Sequence, residues 1–436
     1  MRKCIFVLAL IFLHTLSIPQ GFSGQDHRYS LILKGGHVID PANNINGKMD
    51  VAVTGNKIAR ISKTIPVSDA PKVIDVSGYY VTPGLIDMHV ACYYTNLNVT
   101  SSVIPDHYYF QSGITTCVDG GRSGTESFED FKKIIIDKSR VRVLAILNIS
   151  EPGAGRSEQD PMTFNVKRAV EMAKKYPELI LGYKSAHYMA GGKYDDAHPP
   201  WASVDSTLAA GKLAGLPCTF DFVPRPAQGK YPERSYREFV LKKLRPGDII
   251  NHSLAPRYPI LLKNGKINPV AIEAKKRGVK FDLGHARASF PLRIIVPAVE
   301  QGFLPDTISS SLFSSAGVSL NNIMSKFICL GVPLEDVIRR TTVNPAQIIN
   351  RTELGTLNVG ADADIAVFEM ETGKFSYRGT GYSGGSAGKI IGDKKLQCVL
   401  TVRNGNIVWD HPYGLSVPLW QDIPKDDQYW LEYDYK

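Results

Sequence analysis

The chain predicts an α/β fold, a (β/α)8 barrel (TIM barrel) carrying a small β-sandwich domain built from both termini. Three observations predict it. Strand-like and helix-like stretches alternate about every 30 residues through the middle of the sequence, the rhythm of βα units and a parallel sheet. Residues 29–80 alternate apolar and polar positions between Gly and Asn turns, and the same texture returns near the other end. A length of 436 residues leaves room for a barrel of ~250 residues and a smaller module.

The first residues, MRKCIFVLALIFLHTLSIPQGFSG, have a basic start, an apolar run and small residues near Gly21 to Gly24. This is the layout of a signal peptide over 1–23, and the mature chain is expected to be secreted or periplasmic. The run holds His14 and is short for a retained anchor. No later stretch is apolar enough to cross a membrane. Cleavage removes Arg2 and Lys3, lowering the net charge of +9 by two. The remaining excess is scattered as KK and KR pairs, a solvated surface and not a nucleic-acid site. Five cysteines outside the leader, Cys92, Cys117, Cys218, Cys329 and Cys398, show wide spacings and no CxxC pair, so a thiolate zinc site is excluded.

The β domain is predicted over 29–80 plus 354–410. YSLILKGGHVID, DVAVTGNKIARI and KVIDVSGYYV are antiparallel strands with hairpin chemistry at Thr54-Gly55-Asn56. DADIAVFEM and LQCVLTVRNGNIVW follow the same pattern around Asn404-Gly405. The barrel is predicted over 81–350, with strands at 83–91, 113–120, 142–150, 180–187, 217–223, 248–255, 280–286 and 307–313. Helical patterns such as ESFEDFKKIIID, FNVKRAVEMAKKY, INPVAIEAKKRG and PLRIIVPAVEQG separate them. The tail 411–436, rich in Trp, Tyr and Pro, is expected to pack along the surface. The sequons at Asn148 and Asn251 fall inside strands, which argues against their modification.

In such barrels the site lies at the C-terminal strand ends. Those ends supply His89, then Lys184 and His187, then Asp221, His252 and His285, and finally Ser310 and Ser311. Histidine, carboxylate and a modifiable lysine are suitable ligands for a divalent metal such as zinc. A lone strand histidine is ordinarily a hydrogen-bonded core residue, and a buried lysine must find a carboxylate or lose its charge. A salt bridge from Lys184 to Asp221 is therefore the plain structural alternative.

The stretch Pro83-Gly84-Leu85-Ile86-Asp87-Met88-His89-Val90-Ala91 resembles the first-strand signature of the amidohydrolase superfamily, Pro-Gly-hydrophobic-hydrophobic-Asp-x-His-x-His. GITTCVDGG, SRVRVLAILNIS, FDLGHARASFPLRIIVPAVEQG and TVNPAQIIN followed by GTLNVGADADIAVFE extend the likeness, nearest the branch of dihydroorotase-like and acyl-amino-acid deacetylases. The resemblance implies a metal-dependent hydrolase with two metals bridged by a carboxylated lysine. His89 keeps the first position, Ala91 loses the second, Lys184 matches the bridging lysine and His252 the strand-6 histidine. Asp221 stands where a histidine is expected and Ser311 where an aspartate is expected. The resemblance therefore implies His89, Lys184, Asp221 and His252 as the metal residues, with a single divalent ion such as Zn on Lys184, Asp221 and His252.

The strand-8 aspartate of the family is also its proton carrier, a role that a neutral serine does not fill. Asp221 and His285 are the candidate catalytic residues, with His187 a further base. Tyr93, Arg122, His187, Tyr188, Arg225 and Arg287 are candidate substrate contacts. The leading expectation is a hydrolase of an amide, N-acyl or cyclic, or of an ester, acting on a small molecule. A catalytically inactive binding protein and a metal-free acid/base enzyme remain open, as does a homo-oligomer.

Overall fold

The computed structural model describes residues 27–94, 102–188, 194–221, 240–256, 258, 260–286, 289–313, 318–380, 388–410 and 414–423. The expected leader, and Arg225 and Arg287, lie outside the described residues.

Two sheets organise the chain. The first comprises β1 (Leu31–Asp40), β2 (Ile45–Thr54), β3 (Lys57–Ser62), β4 (Val73–Asp75), β5 (Tyr80–Pro83), β13 (Ile365–Arg378), β14 (Lys389–Arg403) and β15 (Asn406–Asp410). Its order is β15-β14-β13-β5-β1-β2-β3, with β4 beside β1, so strands from both ends of the sequence share one sheet. Two-residue turns at Gly55-Asn56 and Asn404-Gly405 close the hairpins, pairing Thr54 with Lys57 and Arg403 with Asn406. Leu33, Val51, Val53, Val81, Ile365, Val367 and Val402 share its buried apolar face.

The second sheet comprises β6 (Leu85–Val90), β7 (Ile114–Gly120), β8 (Arg142–Asn148), β9 (Ile180–Ala186), β10 (Cys218–Asp221), β11 (Ile249–Ile250) and β12 (Lys280–Phe281). These run in sequence order and pair in parallel throughout. Strand residues divide between two apolar clusters, Ile86, Val118, Leu144, Ile146 and Leu181 in one and Leu85, Cys117, Val143, Ala145 and Tyr183 in the other. A parallel sheet buried on both faces requires this. Helices Val166–Lys175, Ala202–Ala214, Pro269–Lys276 and Leu292–Glu300 cover it, the first and third opening on asparagine caps, Asn165 and Asn268.

The last three expected strands are shorter than the sequence predicts. Segment 307–313 makes only parallel bridges, Asp282 to Thr307 and Val90 to Leu312. These bridges place it beside both β12 and β6. His252, Ala286 and Ser311 have φ of 52°, 40° and 47°, left-handed geometry that ends an extended run. Side chains also replace ladder bonds here: Asp282 accepts from Thr307 Oγ1 and Ser309 Oγ at 2.6 and 2.7 Å.

The predicted helix in ESFEDFKKIIID is one α turn, Phe128–Phe131, continued by a π-helical turn, Lys132–Ile136. Gly84 joins the two sheets, and a Cβ there would lie 2.3 Å from Thr115 Oγ1. Close approach of β7 thus gives the Pro-Gly step its physical reason. Of the tail, Val417, Leu419 and Trp420 are exposed, while Leu415 packs against the first sheet. No described helix is long and apolar enough to cross a membrane.

Candidate active site

The C-terminal ends of β6, β9, β10 and β11 deliver His89, Lys184, Asp221 and His252 into one buried cluster. Lys184 Nζ lies 3.2 Å from His89 Nε2, and the rings of His89 and His252 meet edge to face at 5.5 Å. His252 Nε2 lies 3.2 Å from Asp221 Oδ2. A Cβ on Gly120 would sit 2.4 Å from His89 Cε1, so β7 must present glycine where His89 packs.

Electrostatics follow from burial. His89 is held well below the ordinary histidine range by burial and then by the Lys184 charge, so its ring is neutral. Burial likewise lowers Lys184, against the pull of Asp221. Because Lys184 Nζ and Asn251 Nδ2 both approach His89 Nε2, at 3.2 and 3.1 Å, that nitrogen is an acceptor and the ring proton sits on Nδ1. Asn251 was invisible as a site residue in the sequence, where it reads only as a sequon. Its position next to His252 was the one available signal.

His252 Nδ1 bonds to the Gly284 carbonyl, which only accepts, so this nitrogen carries a proton. In the neutral ring Nε2 is then an acceptor, and it faces the Asp221 carboxylate. Two acceptors at this separation call for a proton or a cation between them. An outward Nε2 with Nδ1 anchored on a carbonyl is also how metal-ligating histidines are oriented. The donor chemistry of this pair therefore fits a divalent metal. Among the described residues no three His, Cys, Asp or Glu side chains converge on one point, so a third ligand requires Lys184 as its carbamate.

Other expected residues separate. His285 is fully buried, its Nδ1 donates to Ala286 O at 2.9 Å, and its Nε2 meets Lys326 Nζ at 2.8 Å. Both ring nitrogens are taken, and burial together with Lys326 pushes its pKa down to about 3. The Tyr93 hydroxyl donates to Asp130 at 3.0 Å, and its ring packs on Phe131 in the helical shell.

Tyr188 is buried edge to face against Phe164. Arg122 follows β7, with its backbone N–H on Asp119 at 2.8 Å. His187 is at the mouth, its Nε2 3.8 Å from Asp221 Oδ2. Ala91 and Ser311 occupy neighbouring segments, joined by Ala91 N donating to Leu312 O at 3.1 Å. Ser310, next to it, donates through N and Oγ to Asp87.

Comparison with known proteins agrees with this architecture. A sequence model of the Amidohydrolase family matches residues 271–408. A deacetylase of Agrobacterium fabrum is 28% identical over 337 residues, spanning 74% of this chain and 78% of that protein. A deacetylase of Enterococcus faecalis is 25% identical over 357 residues, spanning 79% of this chain and 90% of its own length. Among solved structures, an adenine deaminase superposes with a TM-score of 0.76 at 23% identity, over 88% of this chain and all of that one. The strand-1 signature and these comparisons make the chain similar to proteins of the amidohydrolase family, and the solved structures share its fold.

Proposed function

We propose that the chain is a secreted, metal-dependent hydrolase of an amide or ester bond in a small molecule, with an N-acyl compound the leading substrate class. The observation that carries this reading is the Asp221–His252 contact beside Lys184 and His89 at the strand ends. The relatives named deacetylases support the acyl group as the part removed. In this reading β6 to β12 and segment 307–313 form a closed (β/α)8 barrel over 81–350. Residues 29–80 and 354–410 form its β domain, 1–23 a cleaved leader and 411–436 a tail.

One divalent ion, zinc by the donor set, would be held by Asp221, His252 and carboxylated Lys184. When bound, such an ion polarises a carbonyl and lowers the pKa of water. The chain's own residues do the rest. Burial keeps Lys184 closer to the neutral amine that carbon dioxide can add to. The Gly284 carbonyl fixes the His252 ring, and Asn251 Nδ2 holds His89 Nε2 at 3.1 Å.

A second reading, an inactive binding protein, is favoured by Ala91 and Ser311, which offer no strong ligand. The test is acetate or acid release from a panel of N-acetyl amino acids, cyclic amides and acetyl esters. Hydrolysis that Lys184→Ala abolishes supports the enzyme. No hydrolysis by metal-supplemented wild-type protein, with retained binding of any panel member, supports the second reading.

A further inference from the structure

We propose that Cys92 and Cys117 are a disulfide-forming pair that staples the exit of β6 to β7, an inference independent of the hydrolase reading. The two sulfurs lie 3.8 Å apart, and both side chains are fully buried. A disulfide bond is about 2.05 Å long, so each sulfur must move by about 1 Å, the scale of a modest rotation about its Cα–Cβ bond. The other cysteines of the described residues have different partners. Cys218 Sγ donates to Thr207 O at 3.1 Å, Cys329 Sγ to Lys394 O at 3.3 Å, and Cys398 Sγ meets Thr401 Oγ1 at 3.3 Å. Among the described residues only Cys92 and Cys117 set sulfur against sulfur.

The backbone holds the pair in place. Cys117 lies inside β7, partnered with Asp87 of β6. Asp119, two residues further along β7, accepts from Cys92 N at 2.8 Å and from Tyr93 N at 3.2 Å through the same carboxylate oxygen. Cys92 is thus pinned to β7 by its own backbone. Between the two cysteines, 25 residues apart, the chain leaves β6 and returns as β7. A bridge closes that loop and removes freedom from the unfolded chain. It also ties down the strand exit that follows His89.

Burial decides when the bond can form. It raises both thiols above the ordinary cysteine range, and neither is exposed, so the folded pair resists oxidants. The bond forms as the chain folds, before β6 and β7 close on each other. The oxidant is a second disulfide, R–S–S–R, of the kind an oxidising compartment maintains. One cysteine sulfur attacks it and releases a first RSH, leaving a mixed disulfide. The other cysteine sulfur attacks the mixed disulfide and releases a second RSH. The two thiol protons leave with the two RSH, and the electron pair given up by the cysteines reduces R–S–S–R.

The test unfolds the full-length protein in urea with a thiol reductant and refolds it by dilution into glutathione and glutathione disulfide. Remaining thiols are alkylated under denaturing conditions, and the digest is mapped by mass spectrometry. We expect the Cys92 and Cys117 peptides to be joined, two hydrogens lighter than their sum, and separated by reductant. Oxidised wild type should melt about 3 °C or more above the reduced form. Cys117→Ala should abolish that difference, with Cys92→Ala in its place if Cys117→Ala does not fold. Alkylation of both Cys92 and Cys117 in the folded product would overturn the proposal, as would their pairing with other cysteines. A melting temperature no higher in the oxidised form would overturn the stapling role. If dilution gives no folded protein, soluble wild type purified without reductant and then exposed to glutathione disulfide is mapped in the same way, and the same outcomes decide.

Discussion

His252 turns Nε2 to within 3.2 Å of Asp221 Oδ2 while Nδ1 is bonded to the carbonyl of Gly284. The contact is built from two adjacent strand ends whose backbones are tied to each other and to the next strand. Asn251 N donates to Phe220 O at 3.0 Å, and Ser253 N to Asp282 O at 3.0 Å. His252 itself sits at φ 52° between them. Removing either partner should therefore damage the site more than the scaffold.

Asp221→Asn and His252→Ala should each lower turnover by at least about 10²-fold. The circular dichroism spectrum should stay unchanged. Steady-state kinetics on an N-acyl substrate that the wild type cleaves checks this. Retention of more than a third of wild-type kcat in either variant would remove the pair from the mechanism.

Gly120→Ala tests how tightly β7 abuts His89. The new methyl would meet the His89 ring at 2.4 to 2.8 Å, and the ring has His252 on another side. Overpacking of this kind costs about 1–3 kcal/mol. Denaturant unfolding should show that loss, and kcat should fall as His89 is displaced from Lys184.

How much of this was legible in the sequence differs by element. The hairpin at Gly55-Asn56, the one at Asn404-Gly405 and the parallel strands β6 to β10 follow from turn residues and apolar runs that short-range physics decides. Strands near 250, 281 and 310 were overextended, because Asp282 and Asp87 capture hydroxyls of 307–310 in place of ladder bonds. His89, Lys184, Asp221 and His252 were legible because they end apolar strands. Asn251 was not: an asparagine in a sequon looks like surface until the fold brings it to a histidine. His285 ends a strand as well, but its partner is distant in sequence. Lys326 lies 41 residues away, on the helix Leu320–Cys329.

Asp87 should govern an alkaline loss of stability. Burial raises its pKa to about 7, although Ser310 bonds oppose the shift. The folded chain then holds a proton that the unfolded chain releases near pH 4. Stability from this group is full below about pH 4 and is lost as pH rises through about 7. Burial of Asp282 raises its pKa to about 6 and acts in the same direction. Asp87→Asn should flatten the slope between pH 5 and 8 in urea unfolding, scanned in steps of about one unit. An unchanged slope would show that the proton resides elsewhere.

Ala91→His with Ser311→Asp restores the ligands that the superfamily pattern carries. Aspartate tolerates the left-handed φ of 47° at 311 better than most residues. Lys184 and Asn251 already approach His89 Nε2, so a second ion must displace those contacts. Bound metal should rise above the wild-type level while the fold is kept. No rise would indicate that the hydrogen bonds to His89 have closed the first position.

Metal content tests the central claim most directly. Wild-type protein purified without added metal should hold about one transition-metal ion per chain by elemental analysis, the stoichiometry of an open catalytic site. Lys184→Ala and His252→Ala should each fall close to zero under the same handling. Wild-type protein free of metal after zinc supplementation, or Lys184→Ala with undiminished metal, would contradict the account.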